Sequence, residues 1–240
     1  MEIRRFFVEP SDINGTFVTL TGDEFLHMVK VLRYKVGFKA IVCANDGVER
    51  LCTVKEIGKD FATLVIDKET AVDVKKAHVT LFAGLLKNNK LDFVFQKAVE
   101  LGVDKIVPFV SANCAETKFS QDRAEKIALE AAKQCGSAYL SKVGALENFD
   151  AVLSSFKDFD TVLFAYENEK KNRIKDCLCK GKNIAFVVGP EGGFTQEETD
   201  KAKECGATII TLGRRILRAE TASIVSCALL LDHLGELDYE

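Results

Sequence analysis

Asn183-Ile184-Ala185-Phe186-Val187-Val188, followed by Gly189-Pro190-Glu191-Gly192-Gly193-Phe194 and then Thr195-Gln196-Glu197-Glu198, is the stretch on which the fold turns. The first six residues are an apolar run of strand length. The glycines end it. Thr195 and Glu198 have the spacing of a capping box, so a helix is predicted over Gln196–Cys205. Gly206 suits its C-terminal stop. Strand, glycine loop and capped helix in that order form a unit of a parallel α/β sheet.

The same alternation extends in both directions from this unit. Strands are predicted at Val79–Ala83, Lys105–Val110, Thr161–Ala165 and Thr208–Leu212, and helices at Lys90–Leu101, Asp122–Cys135 and Ala222–Leu234. In the first helix Leu91, Val94, Phe95, Ala98 and Leu101 share one face.

Before His78 the pattern is different. Phe17–Leu20, Lys39–Ala44, Val48–Ile57 and Phe61–Ile66 read as strands, with Asn45-Asp46-Gly47 as a hairpin turn. One helix interrupts them: Thr21 and Glu24 form a capping-box spacing, and Phe25, Met28, Val29 and Leu32 fall on one face. Many short strands in so few residues predict a small β-barrel. The charged, weakly periodic segment Asp67–Ala77 marks the boundary, giving domains over 1–70 and 71–240.

Composition narrows the function classes. The chain has 240 residues, 47% hydrophobic and 29% charged, enough for one large core or two small ones. Its net charge is −3, so a nucleic-acid partner would have to meet a local cation cluster. The longest apolar run, around Ala222–Leu231, is far short of the ~20 residues of a membrane span. No secretory leader is read at Met1–Arg5. A cytoplasmic protein with reduced cysteines is expected. The eight cysteines include no CxxC pair, and Cys177 and Cys179 stand as CxC without nearby histidines, so no metal site is expected. His27, His78 and His233 lack ligand spacing.

Two loops carry chemistry, and both follow predicted strands, where ligands of open α/β sheets bind. Gly189–Phe194 holds three glycines that permit close backbone approach. It matches neither G-x-G-x-x-G nor a P-loop. Leu212-Gly213-Arg214-Arg215-Ile216-Leu217-Arg218-Ala219-Glu220-Thr221 places three arginines in five residues, suited to phosphate, carboxylate or a developing oxyanion. Ile216 and Leu217 among those charges suit the wall of a pocket for a flat base. Ala222, Ser223, Ser226 and Ala228 line the last helix. Their spacing fits core packing and a subunit interface equally.

With these loops the chain resembles the ribosomal small-subunit RNA uracil-N3 methyltransferases of the SPOUT superfamily. The resemblance spans nearly the whole chain. It rests on Arg4-Arg5-Phe6-Phe7, GDEFLHMVKVLR from Gly22, QKAVELGV from Gln96, EAAKQCG from Glu130, GPEGGFTQEE from Gly189 and LGRRILRAETA from Leu212. It implies a PUA-like RNA-binding barrel followed by a trefoil-knotted α/β domain, and a homodimer with the last helix near the interface. The implied reaction methylates N3 of a decoding-region uridine of 16S rRNA, within the small ribosomal subunit, with S-adenosylmethionine as cofactor. Gly189, Glu191, Gly192, Leu212, Gly213 and Leu217 would line the cofactor pocket. Arg218 and Glu220 would be catalytic, and Arg4, Arg5, Arg33, Arg214 and Arg215 would meet RNA.

The chain departs from that pattern twice. Ser137 stands where the family carries an arginine after its Gln-Ser-Gly run. Asn113-Cys114 stands where it carries Arg-Ser. Both departures are expected on the RNA-facing side, away from the cofactor loops. Alternative readings are methylation of another RNA, such as transfer RNA, and a non-catalytic RNA-binding or assembly protein of the same fold. A nucleotide-dependent oxidoreductase lacks its glycine fingerprint.

Overall fold

The computed structural model describes residues 3–87, 89–177 and 181–238. Cys179 lies outside them, so the CxC reading has no structural counterpart. The chain divides into two compact units, Met1–Val74 with Ala132–Leu140, and Lys75–Ala131 with Ser141–Glu240.

The first unit is a six-stranded mixed sheet. Its strands are β1 (Arg4–Phe7), β2 (Ile13–Asn14), β3 (Phe17–Thr21), β4 (Lys39–Cys43), β5 (Val48–Ile57) and β6 (Phe61–Ala71), in the order β1-β4-β5-β6-β3-β2. β1 runs parallel to β4; the other neighbours are antiparallel. Period-two alternation sends Val18, Leu20, Ala40, Val42, Cys52, Val54, Ala62 and Leu64 into one core with Phe6, Phe25, Met28 and Tyr34. The predicted hairpin forms with left-handed backbone at Asn45 (φ 57°) and Gly47 (φ 76°). β6 runs five residues past its predicted end, because the first half of the ten-residue β5 needs a pairing partner: Val48 lies opposite Ala71.

The helix in this unit departs from its sequence reading. α1 (Gly22–Leu26) is short and continues as a π-helical turn, His27–Val31. Thr21 makes no side-chain cap bond. The Glu24 carboxylate is used at long range instead, accepting from Phe7 N at 3.3 Å and pairing with Lys133 at 2.6 Å. Leu140 N donates to Asn45 Oδ1 at 2.6 Å, so Ala132–Leu140 belongs to this unit although it lies far along the sequence.

The second unit is a parallel sheet of β7 (His78–Gly84), β8 (Lys105–Val110), β9 (Lys142–Val143), β10 (Glu147–Asn148), β11 (Thr161–Ala165), β12 (Asn183–Val188) and β13 (Thr208–Ile210). The order is β10-β8-β7-β12-β11-β13, with β9 also on β8. Its helices are α2 (Lys90–Leu101), α3 (Gln121–Cys135, of which residues 132–135 count with the first unit), α4 (Phe149–Ser155), α5 (Gln196–Glu204) and α6 (Ala219–His233). The predicted capping box of α5 forms as read, with Thr195 and Glu198 bonded reciprocally. Because all neighbouring strands are parallel, the loops after β7, β8, β11, β12 and β13 leave from one edge of the sheet.

α6 begins three residues before its predicted start, with Arg218 as its N-cap residue. Ala222, Ser223 and Ser226 are buried inside the unit, and both serine hydroxyls return to carbonyls four residues earlier. Their small size serves packing within the chain, and Ala228, on the same helix, is half-buried. Among the described residues no helix is long and apolar enough to cross a membrane.

Candidate active site

A cavity of about 490 Å³ opens at the edge where the strands end. It is lined by the loop after β12, by the segment from Thr211 to Ala219, by Ala165, Tyr166 and Glu167 after β11, and by Lys90 and Ala222. The structure therefore brings together Gly189, Glu191, Gly192, Leu212, Gly213, Leu217, Arg214, Arg215 and Arg218 on one cavity. Glu220 is not on the lining. Lys90, Tyr166 and Glu167 are, and the sequence reading passed over them.

The loop after β12 is fastened from several sides. Phe194 is 5% exposed and sits among Phe109, Phe149 and Phe164, with its ring centroid 4.2 Å from that of Phe164. Gly189 lies against this plug: a Cβ there would fall 2.9 Å from the Phe194 ring. At the end of β7, a Cβ on Gly84 would meet Pro190 N at 2.5 Å, so a side chain at 84 would push the loop away. Gly193 adopts φ 66° and donates to Pro190 O at 3.0 Å, closing the turn. Gly192 is a glycine for a different reason from ligand approach alone. A Cβ there would stand 2.8 Å from both Cβ and the carbonyl oxygen of Asn113.

Glu191 ties this loop to the one after β7. Its Oε1 accepts from Lys87 N and from Lys90 Nζ, each at 3.1 Å. Burial works to raise the Glu191 pKa, but these two donors outweigh it and hold the carboxyl below its ordinary value. Lys90 Nζ also stands 3.8 Å from Glu220 Oε2, an oxygen that is buried and accepts no hydrogen bond from another described residue. Lys90 is thus a cation on the cavity lining with two carboxylates against it. Glu220 acts on the cavity through Lys90.

The second wall is built differently. Gly213 takes φ 119°, a conformation costly for any side-chain-bearing residue, and its N–H donates to Thr211 Oγ1 at 3.2 Å. Arg214, Arg215 and Arg218 are exposed and make no side-chain hydrogen bond or ion pair with another described residue. Ile216 is 85% exposed. Leu212 and Leu217 give the cavity its apolar side. The arrangement suits a ligand with a flat apolar part and polar ends, beside an open cationic rim that could take a polyanion.

Three expected RNA-contacting arginines lie in the first unit. Arg4 and Arg33 are exposed, and Arg33 adopts left-handed backbone, φ 55°. Arg5 is a correction. Its side chain is 8% exposed, ion-pairs with Glu49 at 2.7 Å and donates to Cys43 Sγ at 2.8 Å, so its guanidinium is spent inside the protein. The departure at Asn113 was expected away from the glycine loop and is corrected as well, since that residue bonds Gly192 and Gly193 in the loop after β12. Among the described residues no cluster of metal-ligating side chains occurs. Burial pushes the thiols of Cys52 and Cys227 up to about 12, leaving them inert at neutral pH.

Comparison with known proteins agrees with this geometry. Residues 73–231 match a family described as an RNA methyltransferase domain, and residues 20–67 match an RNA methyltransferase PUA domain. The ribosomal RNA small subunit methyltransferase E of Bacillus subtilis (strain 168) is 33% identical, over 92% of this chain and 93% of its own. That of Mesomycoplasma hyopneumoniae (strain 232) is 34% identical, over 92% and 95%. The crystal structure of the ribosomal RNA small subunit methyltransferase E from Neisseria gonorrhoeae, bound to S-adenosyl methionine, superposes with a TM-score of 0.85 at 26% identity. It covers 96% of this chain and 98% of that one.

Proposed function

This chain belongs to the RNA methyltransferase family, and from that premise we propose that it methylates N3 of one uridine in the 16S rRNA of the small ribosomal subunit, using S-adenosylmethionine. The observation that carries the reading is the cavity of about 490 Å³ closed by two strand-end loops, one glycine-rich and fastened, the other cationic and open. The relatives named above carry a small-subunit ribosomal RNA activity in their names, and one of them binds the cofactor. The same reading includes a trefoil-knotted chain path, a homodimer and a cytoplasmic site of action.

The residues present fit the cofactor. Close-packed glycines leave backbone at the cavity surface, Leu212 and Leu217 would offer an apolar face to an adenine, and Glu191 and Glu167 line the same cavity, where they would meet its polar groups. When bound, S-adenosylmethionine supplies a methyl group already activated on a sulfonium, so the chain has mainly to position and to manage charge. N3 is the pairing edge of uracil, so the base must leave its stack to enter the cavity. Arg214 and Arg215 on the rim would hold phosphates. Arg218, at the N-terminus of α6, would stabilise the negative charge left on the uracil carbonyls when N3 gives up its proton to solvent at the open rim. Lys90, braced by Glu191 and Glu220, would keep the two loops in register.

The test is a map of modified bases in small-subunit rRNA from cells with and without this protein, repeated in vitro with purified subunits. One N3-methyluridine is expected to disappear with the protein and return on its addition. Unchanged rRNA, with methyl transfer to another RNA, would reject the target. Tight RNA binding with no transfer to any RNA would favour an assembly factor.

A further inference from the structure

We propose that Asn113 is a positioning residue for the cofactor, acting through the loop after β12. The inference rests on the reading of that loop as the S-adenosylmethionine site. The Asn113 side chain sits beneath the glycine turn and donates from Nδ2 to two carbonyls, Gly192 O and Gly193 O, each at 3.2 Å. A primary amide nitrogen carries two hydrogens, one for each acceptor. Because both neighbours are acceptors, the amide can face them only with its nitrogen.

Asn113 is itself held in place. Ser111–Cys114 forms a closed turn, with Cys114 N donating to Ser111 O at 3.1 Å and Ser111 N to Cys114 Sγ at 3.3 Å. Next to Asn113, Ala112 N donates to Glu198 Oε1 at 2.8 Å. Glu198 is 8% exposed and its other oxygen accepts from Thr195 N at 2.9 Å. One buried carboxylate thus locks the turn after β8 to the start of α5, on either side of the glycine loop. Asn113 completes the lock at the glycines themselves, where its Cβ and carbonyl oxygen leave no room for a side chain on Gly192.

Glycine carbonyls left without this donor would be free to rotate, because glycine restrains its backbone least of all residues. The peptide groups facing the cavity would then have to be ordered when ligand binds, and that cost would appear as lost affinity. The position that the sequence reading assigned to missing RNA contact therefore serves the cofactor loop in this chain.

The experiment titrates S-adenosylmethionine into the parent, Asn113→Ala and Asn113→Asp by calorimetry, with a thermal melt of each. Asn113 is exposed, so both variants should melt as the parent does. Asn113→Ala should raise Kd at least about 5-fold, the lower end of the scale for two lost neutral hydrogen bonds. Asn113→Asp, the same size but turning a carboxylate toward two carbonyls, should raise it further. Parental Kd in both variants would overturn the proposal. So would a lowered melting temperature with unchanged Kd, which marks a merely structural role. Absence of binding by the parent itself would overturn the cofactor reading and this proposal together, a result distinct from a defect confined to the variants.

Discussion

The two walls of the cavity leave neighbouring parts of the same sheet edge, yet they are built in opposite ways. The wall after β12 is bonded on every side: Phe194 is sunk in an aromatic cluster, Glu191 holds Lys87 and Lys90, and Asn113 holds two glycine carbonyls. The wall after β13 keeps three arginines unpaired among the described residues and leaves Ile216 85% exposed. A pre-formed wall spends little free energy on ordering when a small ligand arrives. An open cationic wall can adapt to a large polyanion that brings its own shape. On the proposed function, the first wall and the apolar Leu212 and Leu217 would hold the cofactor, and the arginines of the second wall would meet RNA and the charge of the reaction.

Three substitutions strain that contrast, in falling order of effect. Phe194→Ala empties the plug of the fastened wall and should cost about 3–5 kcal/mol of stability by chemical denaturation, as buried phenylalanines do. A cost near zero would mean that the loop is not anchored by its ring. Arg218→Ala should lower the single-turnover rate, measured with both ligands saturating, by roughly 100-fold. Its affinity for S-adenosylmethionine should stay near that of the parent. A parental rate would remove Arg218 from the reaction, and a collapse of cofactor affinity would make it a prop of its loop. Arg214→Ala with Arg215→Ala should leave the saturated rate almost unchanged. It should weaken RNA binding and reduce the slope of log K against log salt by about 1 to 2. An unchanged slope would place RNA elsewhere on the molecule.

Much of the second unit was legible because its signals are local. β8, β11, β12 and α2 fall on their predicted residues, since apolar runs and a 3.6-residue face need no distant partner to be read. α4 was also legible and passed over: Asn148 caps it and Phe149, Val152, Leu153 and Phe156 mark its apolar face. Signals that depended on distant residues failed. Glu24 was read as half of a capping box, but Phe7 and Lys133 take it. Arg5 was read as reaching RNA, but Glu49 and Cys43 hold it. Nor could spacing show that Lys90 would meet two carboxylates more than a hundred residues further on, or that Asn113 would lie under Gly192. The site's glycines were found in sequence, and the groups that hold them needed the fold.

The division of labour is tested most directly by titrating S-adenosylmethionine into three proteins: the parent, Gly192→Val, and a variant with Arg214, Arg215 and Arg218 all changed to alanine. A side chain at 192 must displace Asn113 or the glycine turn, so Gly192→Val should lose at least about tenfold in affinity while remaining folded. The triple arginine variant should bind within a factor of about two of the parent, since exposed charges without partners contribute little to a ligand held by the other wall. The reverse pattern, with Gly192→Val binding as the parent does and the arginine variant losing the cofactor, would contradict the account.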